Sequence, residues 1–196
     1  MLKKILCALL ALAVLVPFAA CNKEPNTDEE NNGDNSTPAV QITDSLELLN
    51  NVWALYGDDE KFPVAGGDFE NANMEGPGKY NIADAESVQA ILNFPASEIA
   101  KIDDAASLMH MMNANTFTCG VFRTVEGTDV SALVETIKTQ VSGTQWMCGF
   151  PDKMIIATVG DYILSAYGNG ELIDNLKAKL TEAYPTASVV CDQPLA

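Results

Sequence analysis

Histidine occurs once in these 196 residues, at His110, and that scarcity removes most hydrolytic chemistry at the outset. A hydrolytic triad needs a histidine or equivalent base beside its nucleophile. His110 instead sits in Met109-His110-Met111-Met112, with no glycine-framed serine and no active-cysteine signature nearby. Cysteine is also scarce. Cys7 and Cys21 fall in the first 21 residues, which leaves Cys119, Cys148 and Cys191 with no CxxC pair and no metal-ligand spacing. One disulfide with one buried thiol, or three buried thiols, both fit an odd set of this kind. Cations are few: 11 Lys and Arg stand against 27 Asp and Glu, a net charge of −16. Long-range attraction to nucleic acid or to anionic lipid surfaces is thereby excluded. Among so many acids no carboxylate pair stands out as acid and base from a solvated surface, so no catalytic residue and no cofactor-binding pattern is assigned.

Long apolar runs are equally rare, and the one present, Ile5 to Val16, is too short to cross a bilayer as a permanent helix. It follows Lys3 and Lys4 and ends in Phe18-Ala19-Ala20-Cys21, the order of a secretory signal with small residues at its cleavage position. The ending resembles a bacterial lipobox, with Phe18 where leucine is usual. Residues 1–20 are therefore expected to be a lipoprotein signal peptide, and Cys21 the site of lipid attachment. Loss of Lys3 and Lys4, and of no acid, takes the net charge from −16 to −18. A membrane link must then come from lipid. Diacylglycerol at about 0.8 kcal/mol per buried CH₂ suffices for lasting anchorage. The expected location is the extracytoplasmic face of the cell membrane. Residues 21–43 are rich in Asn, Glu, Asp, Thr, Ser, Gly and Pro, and read as a disordered acidic tether.

Residues 44–196 have the length of one domain. Thr43-Asp44-Ser45 is N-cap chemistry before a helix with two apolar stripes, Leu46, Leu49, Trp53 and Tyr56 beside Leu48, Val52 and Leu55, as in a helix covered on more than one side. Gly57 to Tyr80 reads as a long loop. Asp84 caps a short helix with Val88, Ile91 and Leu92 inward, and a further helical segment is expected to carry Ala105, Leu108, Met111 and Met112 on one side. From 114 onward the pattern is clearer. Phe117, Cys119 and Val121 alternate with Thr116, Thr118 and Gly120 as a strand. Asp129 or Thr128 caps a helix with Leu133, Val134, Ile137 and Val141 inward, and Gly160-Asp161 joins two β-rich runs with Val159 facing Tyr162, Ala157 facing Leu164 and Ile155 facing Ala166. Asn169 caps a last helix before a short strand ending near Cys191. The order is β-α-β-β-α-β, so the expected fold is α+β: a ferredoxin-like antiparallel sheet with helices on one face in residues 114–196, plus an N-terminal helical and loop annex in 44–113.

Three stretches invite chemical readings. His110 with Met109 suits Cu(I), although on a helix His110 would point away from the Leu108, Met111 and Met112 face. Asp68, Glu70, Asn71, Asn73 and Glu75 could offer oxygens to calcium, but not at EF-hand spacing. Gly78-Lys79 fails as a phosphate loop, since Asn73 stands at the first glycine and Tyr80 at the hydroxyl position. No metal site is assigned. Trp146-Met147-Cys148-Gly149-Phe150-Pro151 places large apolar groups in a connection, either as a partner surface or as a plug at the end of the core.

Asn93-Phe94-Pro95-Ala96 with Ile99 and Ile102, the Met111-Met112-Asn113-Ala114-Asn115-Thr116-Phe117-Thr118 run and the Gly160-Asp161-Tyr162 hairpin are similar to a family of lipoproteins of low-GC Gram-positive bacteria defined by a domain of unknown function. The resemblance implies location and broad architecture, and carries no catalytic residues. The functional expectation is a lipid-anchored extracytoplasmic protein, a non-catalytic binding or accessory module. Its partners would be the membrane, through lipid, and an envelope protein. Small-ligand or metal binding is the alternative, and a cell-envelope enzyme is less favoured.

Overall fold

A computed structural model describes residues 41–112 and 116–195. The expected signal peptide, the expected lipid site Cys21 and all but residues 41–43 of the expected tether lie outside the described residues. Among the described residues no helix is long and apolar enough to cross a membrane.

The chain forms an open antiparallel sheet of seven strands: β1 (Val64–Ala65), β2 (Gly78–Lys79), β3 (Ile102–His110), β4 (Phe117–Thr124), β5 (Lys153–Val159), β6 (Tyr162–Gly168) and β7 (Ser188–Pro194). The lateral order is β1-β3-β4-β6-β5-β7, with β2 also paired to β3. Among the described residues four helices accompany it, α1 (Ser45–Trp53), α2 (Ala85–Leu92), α3 (Val130–Ser142) and α4 (Gly170–Ala183), with a 3₁₀ turn over Ala96–Lys101. Each helix begins at an Asp or Asn whose side chain accepts first-turn N–H groups: Asp44, Asp84, Asp129 and Asn169. The hairpin register is the expected one, Val159 opposite Tyr162, Ala157 opposite Leu164 and Ile155 opposite Ala166, with Gly160 at φ +55°.

Two expectations are corrected. The segment from Asp103 to His110, expected as helix, is most of strand β3. Its alternation is hidden because Ala105, Ala106 and Leu108 are all buried, the signature of a strand covered on both faces. The stretch expected as a helical and loop annex, 44–113, therefore supplies β1, β2 and β3 to the same sheet. The second correction concerns the helices, which lie on both faces. Leu48, Leu49 and Val52 of α1 and Ile173, Leu176 and Leu180 of α4 pack on Leu108, Val121, Ile155 and Leu164. Val88 and Leu92 of α2 and Leu133, Ile137 and Val141 of α3 pack on Phe122, Met154, Ile156 and Ile163. A ferredoxin-like sheet would return its last strand to the side of β4, but β3 occupies that side and β7 pairs with β5. The crossovers β4-α3-β5 and β6-α4-β7 then step the same way across the sheet from strands that run in opposite directions. Two right-handed crossovers under that condition put their helices on opposite faces.

On the α2–α3 face the row Ser107, Gly120, Ser165 crosses β3, β4 and β6. These small residues leave a depression filled by the Phe122 ring, which Phe94 meets at 4.6 Å. Asn93, in the left-handed conformation at φ 53°, ends α2; its amide donates to Tyr167 Oη (2.9 Å) and its carbonyl oxygen accepts from Thr144 Oγ1 (2.9 Å). One short polar side chain thus joins α2, β6 and the end of α3.

The α1–α4 face holds a buried carboxylate. Asp104, beside a bulge in β3, accepts from the Ser45 N–H at the start of α1 (2.8 Å) and from Lys79 Nζ of β2 (3.1 Å). Burial works to raise its pKa, but the Ser45 N–H and the Lys79 ammonium outweigh it and hold the carboxyl below the usual range. A group depressed in the folded state stabilises above its unfolded pKa of about 3.9 and loses that contribution as pH falls through the folded value. Asp104→Asn should therefore cost about 1–3 kcal/mol at pH 7. The gap between variant and wild type should close below about pH 4. Urea denaturation of both proteins across that range checks it, and a gap independent of pH would contradict it.

Candidate functional site

The long 57–80 loop is organised by its contacts with β3. Gly66 and Gly78 pass so closely that a Cβ on Gly66 would lie 2.2 Å from the Gly78 nitrogen. The Gly67 N–H donates to Ser107 Oγ (2.9 Å), fixing the base of the loop to the sheet. Asp68 then builds the turn. Its carboxylate accepts from the Glu70 N–H (2.8 Å), the Asn71 N–H (2.9 Å), the Asn71 amide and the Asn81 N–H (2.5 Å). Burial opposes the charge, but these donors outweigh it and lower the Asp68 pKa. The turn thrusts Phe69 outward, and its side chain is 99% exposed.

Opposite this loop stands α2. Tyr80 is buried, and its hydroxyl lies 3.1 Å from Ser87 Oγ, which ties the helix to the strand side of the loop. Between the two walls is a cleft of about 510 Å³ lined by Gly67, Asp68, Phe69, Glu70, Tyr80, Asn81, Asp84, Ser87, Ile91 and Met109. Its apolar surface comes from Phe69, Tyr80, Ile91 and Met109, and all three of its ionisable carboxylates are acids on the rim, Asp68, Glu70 and Asp84. Among the described residues no Lys, Arg or His lines it. Ile91, expected to point inward, is 43% exposed because α2 rests on the sheet through Val88 and Leu92 and turns Ile91 toward the cleft. A second, more polar cleft of about 590 Å³ lies between α2 and the end of α3, among Glu86, Gln89, Asn93, Gln140 and Thr144.

The structure separates the proposed copper pair. His110 is on a strand, so Met109 and His110 point to opposite faces of the sheet. Met109 enters the cleft, while the His110 ring stacks on Phe62 at 5.1 Å and 8° and its Nδ1 accepts from the Met112 N–H (2.9 Å). Burial lowers the His110 pKa. Met111 and Met112 are exposed beyond the strand end. In the acidic loop, Asp68 is committed to N–H donors, and among the described residues no three of His, Cys, Asp and Glu converge on a common point.

The 146–151 connection divides between its two readings. Trp146 packs on the α2–α3 core with its ring 5.1 Å from Tyr167, as a plug would. Met147 and Phe150 are 90% and 74% exposed, as a contact surface would be. Phe69 and the cleft behind it were missed by sequence reasoning. The available signal was one large apolar residue set between Asp68 and Glu70 in a glycine-rich stretch. No protein-family model, no curated protein and no solved structure significantly matches this chain.

All three cysteines in the domain are free; of the three thiols expected to be buried, Cys119 and Cys191 are buried and Cys148 is exposed. Cys119 belongs to the α1–α4 core and Cys191 to the α2–α3 core, on opposite sides of the sheet, and burial raises both thiol pKa values. Maleimide labelling of the native protein should therefore modify Cys148 first. Cys119 and Cys191 should react only after denaturant is added, as mass spectrometry of the labelled peptides would read. Rapid native labelling of Cys119 would contradict this packing.

Proposed function

We propose that this chain is a lipid-anchored extracytoplasmic binding module. It is held at the membrane by diacylglycerol on Cys21 and lifted from it by the acidic stretch 21–43. The resemblance to Gram-positive lipoproteins of unknown function supports the location, and the signal-like order of residues 1–21 supports the attachment residue. The observation that carries the binding role is the cleft between α2 and the 66–81 segment, where apolar side chains from a loop, a helix and a strand meet in the open beside a fully exposed Phe69. Large apolar groups held in solvent by a fixed turn are characteristic of contact surfaces. The walls are pinned to the sheet through Ser107 and Tyr80, so little ordering entropy is lost on binding. The partner is an envelope component that presents an apolar group to this cleft.

Two measurements test the reading. Intact mass of the detergent-extracted protein should show a diacylglycerol-sized increment that disappears in Cys21→Ala; equal masses would remove the anchor. A neutral, environment-sensitive dye such as Nile red should fluoresce on the protein. Its enhancement should fall several-fold in Phe69→Ser/Ile91→Ser with the unfolding midpoint unchanged. Undiminished fluorescence in that variant would remove the cleft as a binding site.

A further inference from the structure

We propose that the cleft receives a cationic amphipathic peptide segment, with its apolar side chains against Phe69, Ile91 and Met109 and its Lys or Arg side chains toward Glu70 and Asp84, in the field of the Asp68 charge. The proposal rests on the cleft being a binding site, and adds the chemistry of what binds. That chemistry follows from the arrangement of charge. Among the described residues, every ionisable side chain lining the cleft other than Tyr80 is a carboxylic acid, and no cation lines it. The neighbouring cation, Lys79, is drawn to Asp104 on the opposite face of the sheet. Asp68 cannot be neutralised cheaply, because four N–H groups of its own loop hold it as the anion. Glu70 and Asp84 are exposed at the mouth and available to a second charge.

Other occupants fail on the same ground. The chain's own 22–43 stretch carries more acid than base, and a second copy, without Lys3 and Lys4, brings a net charge of −18. Nucleic acid and anionic headgroups would bring further negative charge to an acidic rim. A positively charged partner is attracted by the whole molecule and then registered by the rim, the division of labour expected of electrostatic complementarity. The apolar floor would supply most of the affinity, as in other grooves that take one face of an amphipathic segment. A volume of about 510 Å³ suits a few side chains and is too small for a folded surface.

The test uses the lipidated protein in phosphatidylcholine nanodiscs, with empty nanodiscs as the blank. The probe is a fluorescein-labelled 12-residue Leu/Lys peptide followed by anisotropy, beside Leu/Glu and Ser/Lys peptides of the same length. The Leu/Lys peptide should bind at least tenfold more tightly than either. Its affinity should drop about tenfold in Glu70→Gln/Asp84→Asn, where asparagine preserves the cap of α2, and by a similar factor in Phe69→Ser. Glu135→Gln/Glu182→Gln, on α3 and α4, should change it less than twofold. Equal losses in the cleft and the distant charge variants would overturn the proposal, since attraction would then follow net charge alone. If the Leu/Lys peptide fails to bind while Nile red still depends on Phe69, the proposal falls and the binding cleft stands. If neither probe responds to Phe69→Ser, both fall together.

Discussion

Strand β3 lies along the edge of β4, and the rest of the architecture follows from that pairing. With that side taken, β7 must close the sheet beyond β5, and α4 is carried to the face opposite α3. Each face is then left with room for a second helix, which α1 fills on one side and α2 on the other. The sheet becomes the middle of three layers, which is why β3 to β6 are apolar on both faces. Asp104 works within this constraint. Its charge is placed at a bulge where the N-terminus of α1 and the ammonium of β2 both reach it, so the polar interaction at the start of α1 coincides with the attachment of β2.

The sequence was most legible where local chemistry decides structure. The caps Asp84 and Asn169, the Gly160 turn and the apolar faces of α3 and α4 follow from side-chain oxygens, positive φ and 3.6-residue spacing, and each stands where those rules put it; at Thr43-Asp44-Ser45 and Thr128-Asp129 the rules left a choice, and the aspartate is the cap at both. Residues 102–110 were illegible for the opposite reason. Ala105-Ala106-Ser107-Leu108-Met109 has few β-branched residues and no alternation, and only its neighbours on both faces make it a strand. Helix placement was misjudged by inheritance from that error, because the position of β7 depends on what already flanks β4. The cleft could not have been read from spacing. It is assembled from Phe69, Ile91 and Met109, which come together through the loop, the helix and the strand only after the sheet forms.

The contrast between the two sides of β3 is instructive. Toward β4 it makes a continuous ladder interrupted only near Asp103. Toward the outside it meets two strands of two residues each, and the chain between them leaves the sheet to form the Asp68 turn. The excursion is short enough to be held by Ser107, Gly66 and Gly78, and long enough to place Phe69 in solvent. An exposed apolar surface is thereby built from a loop that its contacts with the sheet hold in place. The core beneath does not depend on Phe69, which leaves that position open to change in size and chemistry at little cost in stability.

The opposite margin of the sheet has a different property. β7 carries a bulge at Val190, where the register with β5 shifts, and ends in Pro194. The Leu195 N–H turns inward to Asp152, so by alternation Pro194 stands where a backbone N–H would face outward, and proline has none. A neighbouring copy approaching this edge therefore meets an interrupted row of donors, and Asp192 beside it, already held by Lys153 and Lys177, adds a charged obstacle. Such an edge resists polymerisation by strand addition. Copies brought close together would not join through this edge.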